Sequence, residues 1–330
     1  MFNNKNILVT GGTGMIGRAL IPKLLDFGAN ITIASLDEPK IDDPMLQHVR
    51  FVQTDLRSSS HCLKITAGQE VVFHLAGIKG SPKLTMSKPA TFFTNTLLFN
   101  LNMMEASRKN NVEKYLYTSS VGVYAPSEIF YEDSVWKTFP SDNDKFAGYA
   151  KRMGELQAEA LKIEFGWDAV SIVRPANVYG PFDNFDSNTG MVIPSLISRF
   201  ASTENPIKVW GDGSALRDFI YCEDVAEGMI KVLENEYHLP TNLGSGLAVS
   251  IREVVENIQQ HFPNKSVVWD NSMPKGDDVR LMDITRAKNL GIEPRVNLKL
   301  GINQTIEWYL QKRSISDHRY NAFNESSSNR

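Results

Sequence analysis

Short apolar runs alternate with amphipathic stretches through roughly the first 180 residues, and their spacing predicts the elements. Ile7 to Thr10 is a run of apolar or β-branched residues that reads as a short buried strand, and glycines follow at 11, 12, 14 and 17. The amphipathic run from Arg18 to Gly28 then begins a helix. Asn30–Ser35 and Phe51–Gln53 read as the second and third strands. Val71–Gly77 reads as a fourth, apolar enough to be buried on both faces. Thr91–Asn110 carries Phe92, Leu98, Phe99 and Met103 on one stripe, the pattern of a long helix. Tyr115–Ser120 is the fifth strand, Gly148–Glu164 a helix with Lys151 in its first turns, and Ala169–Arg174 the sixth strand. Strand and helix in alternation predict an α/β fold built on a doubly wound parallel sheet.

The second half is less regular. Met191–Phe200, Glu223–Glu234, Ile251–His261 and Gly301–Gln311 read as helices, with short strands at Ile207–Trp210 and Asp218–Tyr221. Thr241–Gly246 reads as a strand returning to the first sheet. Residues 1–176 and about 222–246 are expected to form a Rossmann-type dinucleotide-binding domain. Residues about 177–221 and 247–313 would form a smaller substrate domain, and residues 314–330 a frayed polar tail.

Composition narrows the setting. The chain has 330 residues, 42% hydrophobic and 22% charged, with a net charge of −3, which points to no nucleic-acid or anionic-membrane partner. No apolar run approaches the ~20 residues of a membrane helix. Cys62 and Cys222 are the only cysteines, and the first strand begins almost at once, so a reduced, cytoplasmic setting is expected.

The candidate chemistry lies at strand ends. Gly11, Gly14 and Gly17, between a strand and a helix start, make a cradle in which backbone N–H groups meet a pyrophosphate. The second strand ends Ser35-Leu36-Asp37-Glu38 with no adjacent Lys or Arg, and Ser35 stands where the acid of an NAD site is expected; two carboxylates repel a 2′-phosphate, so NAD is favoured over NADP. Asp55 either accepts from an adenine amino group or caps the next helix. Ala76 and Gly77 leave room for a cofactor backbone, and His74 reads as a core histidine bonded to backbone. Ser119 and Ser120 end the fifth strand, where a substrate hydroxyl could be held or a turn capped.

These residues together resemble the extended short-chain dehydrogenase/reductase family, NAD(P)-dependent enzymes that remodel nucleotide sugars. The marks are Thr10-Gly11-x-x-Gly14-x-x-Gly17, Asp55-Leu56-Arg57, His74-Leu75-Ala76-Gly77, Asn95, Ser119-Ser120, Lys151 and the run Arg174 to Pro181. Later stretches look most like the GDP-fucose synthase branch. The resemblance implies that Gly11, Gly14 and Gly17 hold the pyrophosphate, that Met15 and Ile16 belong to the cofactor site, and that Asp37 lies beside the adenosine ribose. Asp55 would meet the adenine, and Leu56, Leu75, Ala76, Gly77 and Asn95 would complete the cofactor site. It places Lys151 at the nicotinamide ribose and Ser120 at the sugar. Asn177, Trp210, Arg217 and Arg280 would hold the nucleoside diphosphate. No metal is implied. A homodimer through a four-helix interface is implied, using Thr91–Asn110 and Gly148–Glu164.

The resemblance also locates departures. The family has a tyrosine four residues before the lysine, where both share a helix face and the phenol exchanges a proton with the sugar hydroxyl. Here that residue is Ala147; Tyr149 lies two before Lys151, on another face of a regular helix. Val121 and Gly122 stand where a 4,6-dehydratase has its acid pair. Gly122 and Met191 stand where GDP-fucose synthases have their epimerising Cys and His. Redox at one sugar carbon, C4, survives. The expected activity is that of a 4-epimerase or C4 dehydrogenase/reductase on a GDP- or UDP-sugar. Its proton would pass through Ser120, through Tyr149 at a distorted helix start, through Tyr124, or through water. The alternatives are a binding protein that keeps both ligand sites without turnover, and a scaffold subunit.

Overall fold

The computed structural model describes residues 1–38, 43–78, 80, 82–187, 189–272, 278–312 and 320. Seven strands form the central sheet: β1 (Asn6–Thr10), β2 (Asn30–Ser35), β3 (Arg50–Gln53), β4 (Val71–His74), β5 (Lys114–Thr118), β6 (Val170–Pro175) and β7 (Thr241–Leu243). Their order is β7-β6-β5-β4-β1-β2-β3, every neighbour parallel. The direction of winding reverses between β1 and β4, so their carboxyl ends open a crevice there.

The strands are buried on both faces because their alternate residues feed two cores. Ile7, Val9, Ile33 and Phe73 face one side and pack with α1 (Met15–Asp26). Leu8, Ala34 and Val72 face the other. That side is covered by α2 (Ser59–Thr66), α3 (Pro89–Lys109) and α4 (Lys145–Phe165). Helix α5 (Cys222–Glu234) returns to the α1 side, and β7 then extends the sheet beside β6.

A third core gathers helices Val192–Phe200, Ile251–Gln259 and Leu298–Lys312 around strands Ile207–Trp210 and Phe219–Tyr221. Beside it a small four-stranded sheet runs Val249–Ser250, Leu216–Arg217, Val279–Met282, Ile129–Phe130. Among the described residues no helix is long and apolar enough to cross a membrane.

Several bounds differ from the sequence reading. β4 stops at His74 and β5 at Thr118, which leaves Leu75–Gly77 and Ser119–Ser120 as loop beyond the strand ends. Helix α4 starts at Lys145, a turn before Gly148. Met282, Ile284, Ala287 and Ile292, placed in the substrate domain from sequence, pack into the α1-side core instead. The polar tail lies outside the described residues except Tyr320.

Candidate active site

The glycine turn is built by close approach. Gly11 has φ +66°, and a Cβ there would stand 2.9 Å from the Ala76 backbone. A Cβ on Gly17 would stand 2.5 Å from Gly12 Cα. Both glycines let backbone meet backbone. Gly14 differs: the nearest atom to its Cβ position is Gly11 O at 3.2 Å, and Gly77 faces nothing nearer than 3.9 Å. The turn is therefore packed backbone against backbone at Gly11 and Gly17, while only the Gly11 carbonyl approaches Gly14 and only the Leu75 carbonyl approaches Gly77. Gly14 is the N-cap of α1 with no side-chain cap, and the first turn carries no acid. Uncapped N–H groups at the positive helix end fit a pyrophosphate.

The end of β2 reaches this turn. Thr13 Oγ1 donates to Asp37 Oδ2 at 2.6 Å and lies 3.0 Å from Ser35 Oγ; Asp37 N donates to Ser35 Oγ. Ser35 thus occupies the strand end and bends the chain so that the carboxylate two residues on lies over the glycine turn. The backbone N–H of Tyr320 also donates to Asp37 Oδ1, at 2.8 Å. Asp55 is not a helix cap: its carboxylate takes the Arg57 backbone N–H and guanidinium, while Ser58 precedes α2. Burial pushes Asp55 up, but the bonds and charge of Arg57 prevail and hold it below the usual carboxylate range. From α3, Asn102 grips the Leu56 and Arg57 carbonyls and fixes this loop. Asn95, two turns earlier on α3, is half-buried.

His74 is fully buried, with Nδ1 2.8 Å from Thr10 Oγ1 and Nε2 2.9 Å from Asn100 Oδ1. Its partners are side chains, not the backbone expected from sequence. Burial, with the nearby Lys151 charge, lowers it to about 3, so the ring stays neutral. The chain of bonds continues from Asn100 to Tyr117 and from the Tyr117 hydroxyl to the Lys151 carbonyl. Thr10 also accepts from Ala76 N. One buried network therefore ties the glycine turn to the helix that carries Lys151.

Lys151 Nζ donates to Thr118 O at 2.7 Å and lies 5.4 Å from the Tyr117 ring centre, at the carboxyl end of β5. Burial lowers it to about 8, with Glu155 pulling the other way. Ser119 is committed elsewhere, donating to Glu155 Oε1 at 2.6 Å, while Glu155 forms a buried two-bond pair with Arg174. Ser120 is half-buried and caps the turn Val121–Val123 by accepting from Gly122 N.

Two proton candidates fall on this geometry. Helix α4 is continuous from Lys145, so Tyr149, two residues before Lys151, does not share its face; no distorted start brings it round. The Tyr124 hydroxyl is buried and donates to Asn242 Oδ1 at 2.5 Å while receiving Arg174. Burial raises it to about 12, against the Arg174 charge.

In the small four-stranded sheet, Arg217 and Arg280 are register partners on adjacent parallel strands. Two guanidinium groups side by side repel unless an anion lies between them. Arg280 Nη2 donates to Asp144 Oδ2 at 2.5 Å. Arg217 donates to Leu216 O; its chain neighbour Asp218 is buried, with its carboxylate held by Ser245 and Gly246. Asn177 donates to Asp218 O at 2.9 Å and so positions this strand, and Trp210 is half-exposed. Asp144 escaped the sequence reading, because its partner Arg280 is 136 residues away.

The sequence profile of the NAD dependent epimerase/dehydratase family matches residues 7–244. The chain belongs to the NAD-dependent epimerase/dehydratase family. It is similar to GDP-L-fucose synthase 1 of Arabidopsis thaliana, 32% identical over 317 residues that cover 92% of this chain and 93% of that one. Among solved structures it is similar to a UDP-N-acetylglucosamine 4-epimerase from Methanobrevibacter ruminantium M1 in complex with UDP-N-acetylmuramic acid. That match has a TM-score of 0.82 and 26% identity over 94% of this chain and 99% of the other. It is also similar to MoeE5 in complex with UDP-glucose and NAD, with a TM-score of 0.77 and 27% identity over 94% and 100%. Family membership makes the chain an NAD(P)-dependent enzyme of nucleotide-sugar metabolism.

Proposed function

We propose that this protein is an NAD-dependent nucleotide-sugar 4-epimerase or C4 dehydrogenase/reductase acting on a GDP- or UDP-linked sugar. The observation that carries the reading is the uncapped start of α1 at Gly14, with the Asp37 carboxylate bonded to Thr13 in the same turn and the Lys151 ammonium at the carboxyl end of β5. Such a row fits a nicotinamide dinucleotide: uncapped amides for the pyrophosphate, a carboxylate for the adenosine ribose, an ammonium for the other ribose. Asp37 over the glycine turn supports NAD over NADP, since a carboxylate accepts from a 2′-hydroxyl and repels a 2′-phosphate. Asp55, Leu56, Leu75, Ala76 and Asn95 complete this side. Ser120 faces the sugar, and Arg217 and Arg280, with Asn177 and Trp210, hold the nucleoside diphosphate, where planar guanidinium groups grip phosphate bidentately. The nicotinamide, when bound, supplies a hydride acceptor and donor.

Mass spectrometry of small molecules released on denaturing the purified protein should find NAD or NADH. Mixing with a panel of GDP-, UDP- and dTDP-hexoses should change nicotinamide absorbance or sugar configuration for at least one member. A second reading, ligand binding without turnover, draws on Ala147, one helical turn before Lys151; it is favoured if calorimetry shows both ligands bound and the panel shows no change. A homodimer through α3 and α4 fits the apolar side chains these helices expose, Leu98, Leu156 and Ile163.

A further inference from the structure

Asp144 stands at the N-cap of α4, where an aspartate ordinarily accepts a backbone N–H of the first turn; it makes no such bond. Forgoing that cap costs about 1 kcal/mol, so the carboxylate is turned away against its local preference. It points instead to Arg280 and to the space that Gly122 leaves. A Cβ on Gly122 would stand 3.4 Å from Asp144 Cβ, 3.5 Å from its Cγ and 3.6 Å from Ser120 Oγ. Asp144 and Ser120 therefore border one point, beyond the carboxyl end of β5.

The helix sets the rest. Residues 144, 147 and 151 follow one another at three and four, the spacing of one helix face. Helical side chains lean toward the N-terminus, so a long side chain at 147 would deliver its tip over the turn that holds Asp144. Ala147 has no such tip, and Asp144 stands in the region it would reach. The other titratable candidates are engaged elsewhere: His74 is bonded at both nitrogens, Tyr124 binds Asn242 and Arg174, and Tyr149 lies on another face.

We propose that Asp144 exchanges the proton with the sugar hydroxyl, and that Arg280 is its counterion until the diphosphate arrives. This rests on the redox reading above. As the sugar carbinol is oxidised, its C–H electron pair leaves as hydride to the nicotinamide. The O–H proton passes to the Asp144 carboxylate, and the C–O bond becomes a ketone; the reverse step returns both. A diphosphate between Arg217 and Arg280 draws Arg280 from Asp144 and frees the carboxylate beside Ser120.

The test uses the full-length protein, Asp144→Asn, Asp144→Ala and Asp144→Asn with Ala147→Tyr, each checked by thermal melting. Single-turnover nicotinamide absorbance is read across the same sugar panel. Asp144→Asn should slow hydride transfer by about 10²–10⁴-fold. Added formate should restore Asp144→Ala by about tenfold or more but leave Asp144→Asn unchanged, and Ala147→Tyr should recover part of the loss. Without dinucleotide, calorimetry with UDP and GDP should show Asp144→Asn binding the diphosphate a few-fold more tightly. Turnover in Asp144→Asn within about threefold of wild type overturns the role of Asp144 and leaves the redox reading standing. No hydride movement by wild type with any sugar overturns both. Unchanged UDP and GDP affinity overturns the release of Arg280.

Discussion

At the scale of single residues, the glycines separate two kinds of necessity. Gly17→Ala drives a methyl into the Gly12 backbone and should destabilise the protein by about 1–3 kcal/mol, read by urea unfolding. Gly77→Ala meets only Leu75 O, at an ordinary 3.9 Å contact, and should melt like wild type. Its methyl would intrude on the proposed cofactor site, so NAD affinity by calorimetry should fall by about tenfold or more. Equal melting and equal affinity for the two variants would remove the distinction. Lys151 gives a pH signature. Its folded value of about 8 lies below the ordinary 10.5, so between these values the unfolded chain holds more protons and this group's contribution to stability rises with pH. Below about 8 both states carry the proton and its contribution is flat. Affinity moves oppositely, because the proposed contact to the nicotinamide ribose needs the ammonium: NAD binding should weaken as pH rises through about 8, and Lys151→Met should abolish that dependence.

At the scale of elements, α4 is held to the sheet by polar bonds as much as by apolar contact. Glu155 on α4 meets Arg174 on β6, and both are almost wholly enclosed. Removing the carboxylate leaves a buried guanidinium uncompensated, so Glu155→Ala should lower unfolding free energy by about 3–5 kcal/mol in denaturant titration. Little of this could be read in advance. The glycine turn, the apolar strands and the Lys151 helix are local patterns, written within a few residues of one another. Strands of two residues, such as Ile129–Phe130 and Leu216–Arg217, are too short to show a period. They exist because residues far apart in sequence pair with them. The partners of His74 and Asp144 were hidden for the same reason: sequence gives the chemistry of a side chain but not what the fold brings opposite it. Sequence alone does not show that the Ser35 hydroxyl accepts from Asp37 N while the Asp37 carboxylate bonds Thr13 in the glycine turn.

At the scale of the molecule, the two long helices α3 and α4 pack on each other and still present apolar side chains outward. Sedimentation should give twice the chain mass, and the double substitution Leu98→Glu with Leu156→Glu should halve it while leaving far-ultraviolet dichroism unchanged. A wild-type monomer at micromolar concentration would remove the proposed interface. The sheet also bears on how the molecule could be divided. After β6 the chain leaves for the third core, comes back as α5 and β7, departs again, and sends Met282 to Ile292 home once more. No single peptide bond separates one half from the other. Cutting after Pro175 would bare the β6 flank and strip α1 of α5, so a gene truncated there should yield insoluble product. Lobes stitched together by several passes must be inherited, and must evolve, as one unit.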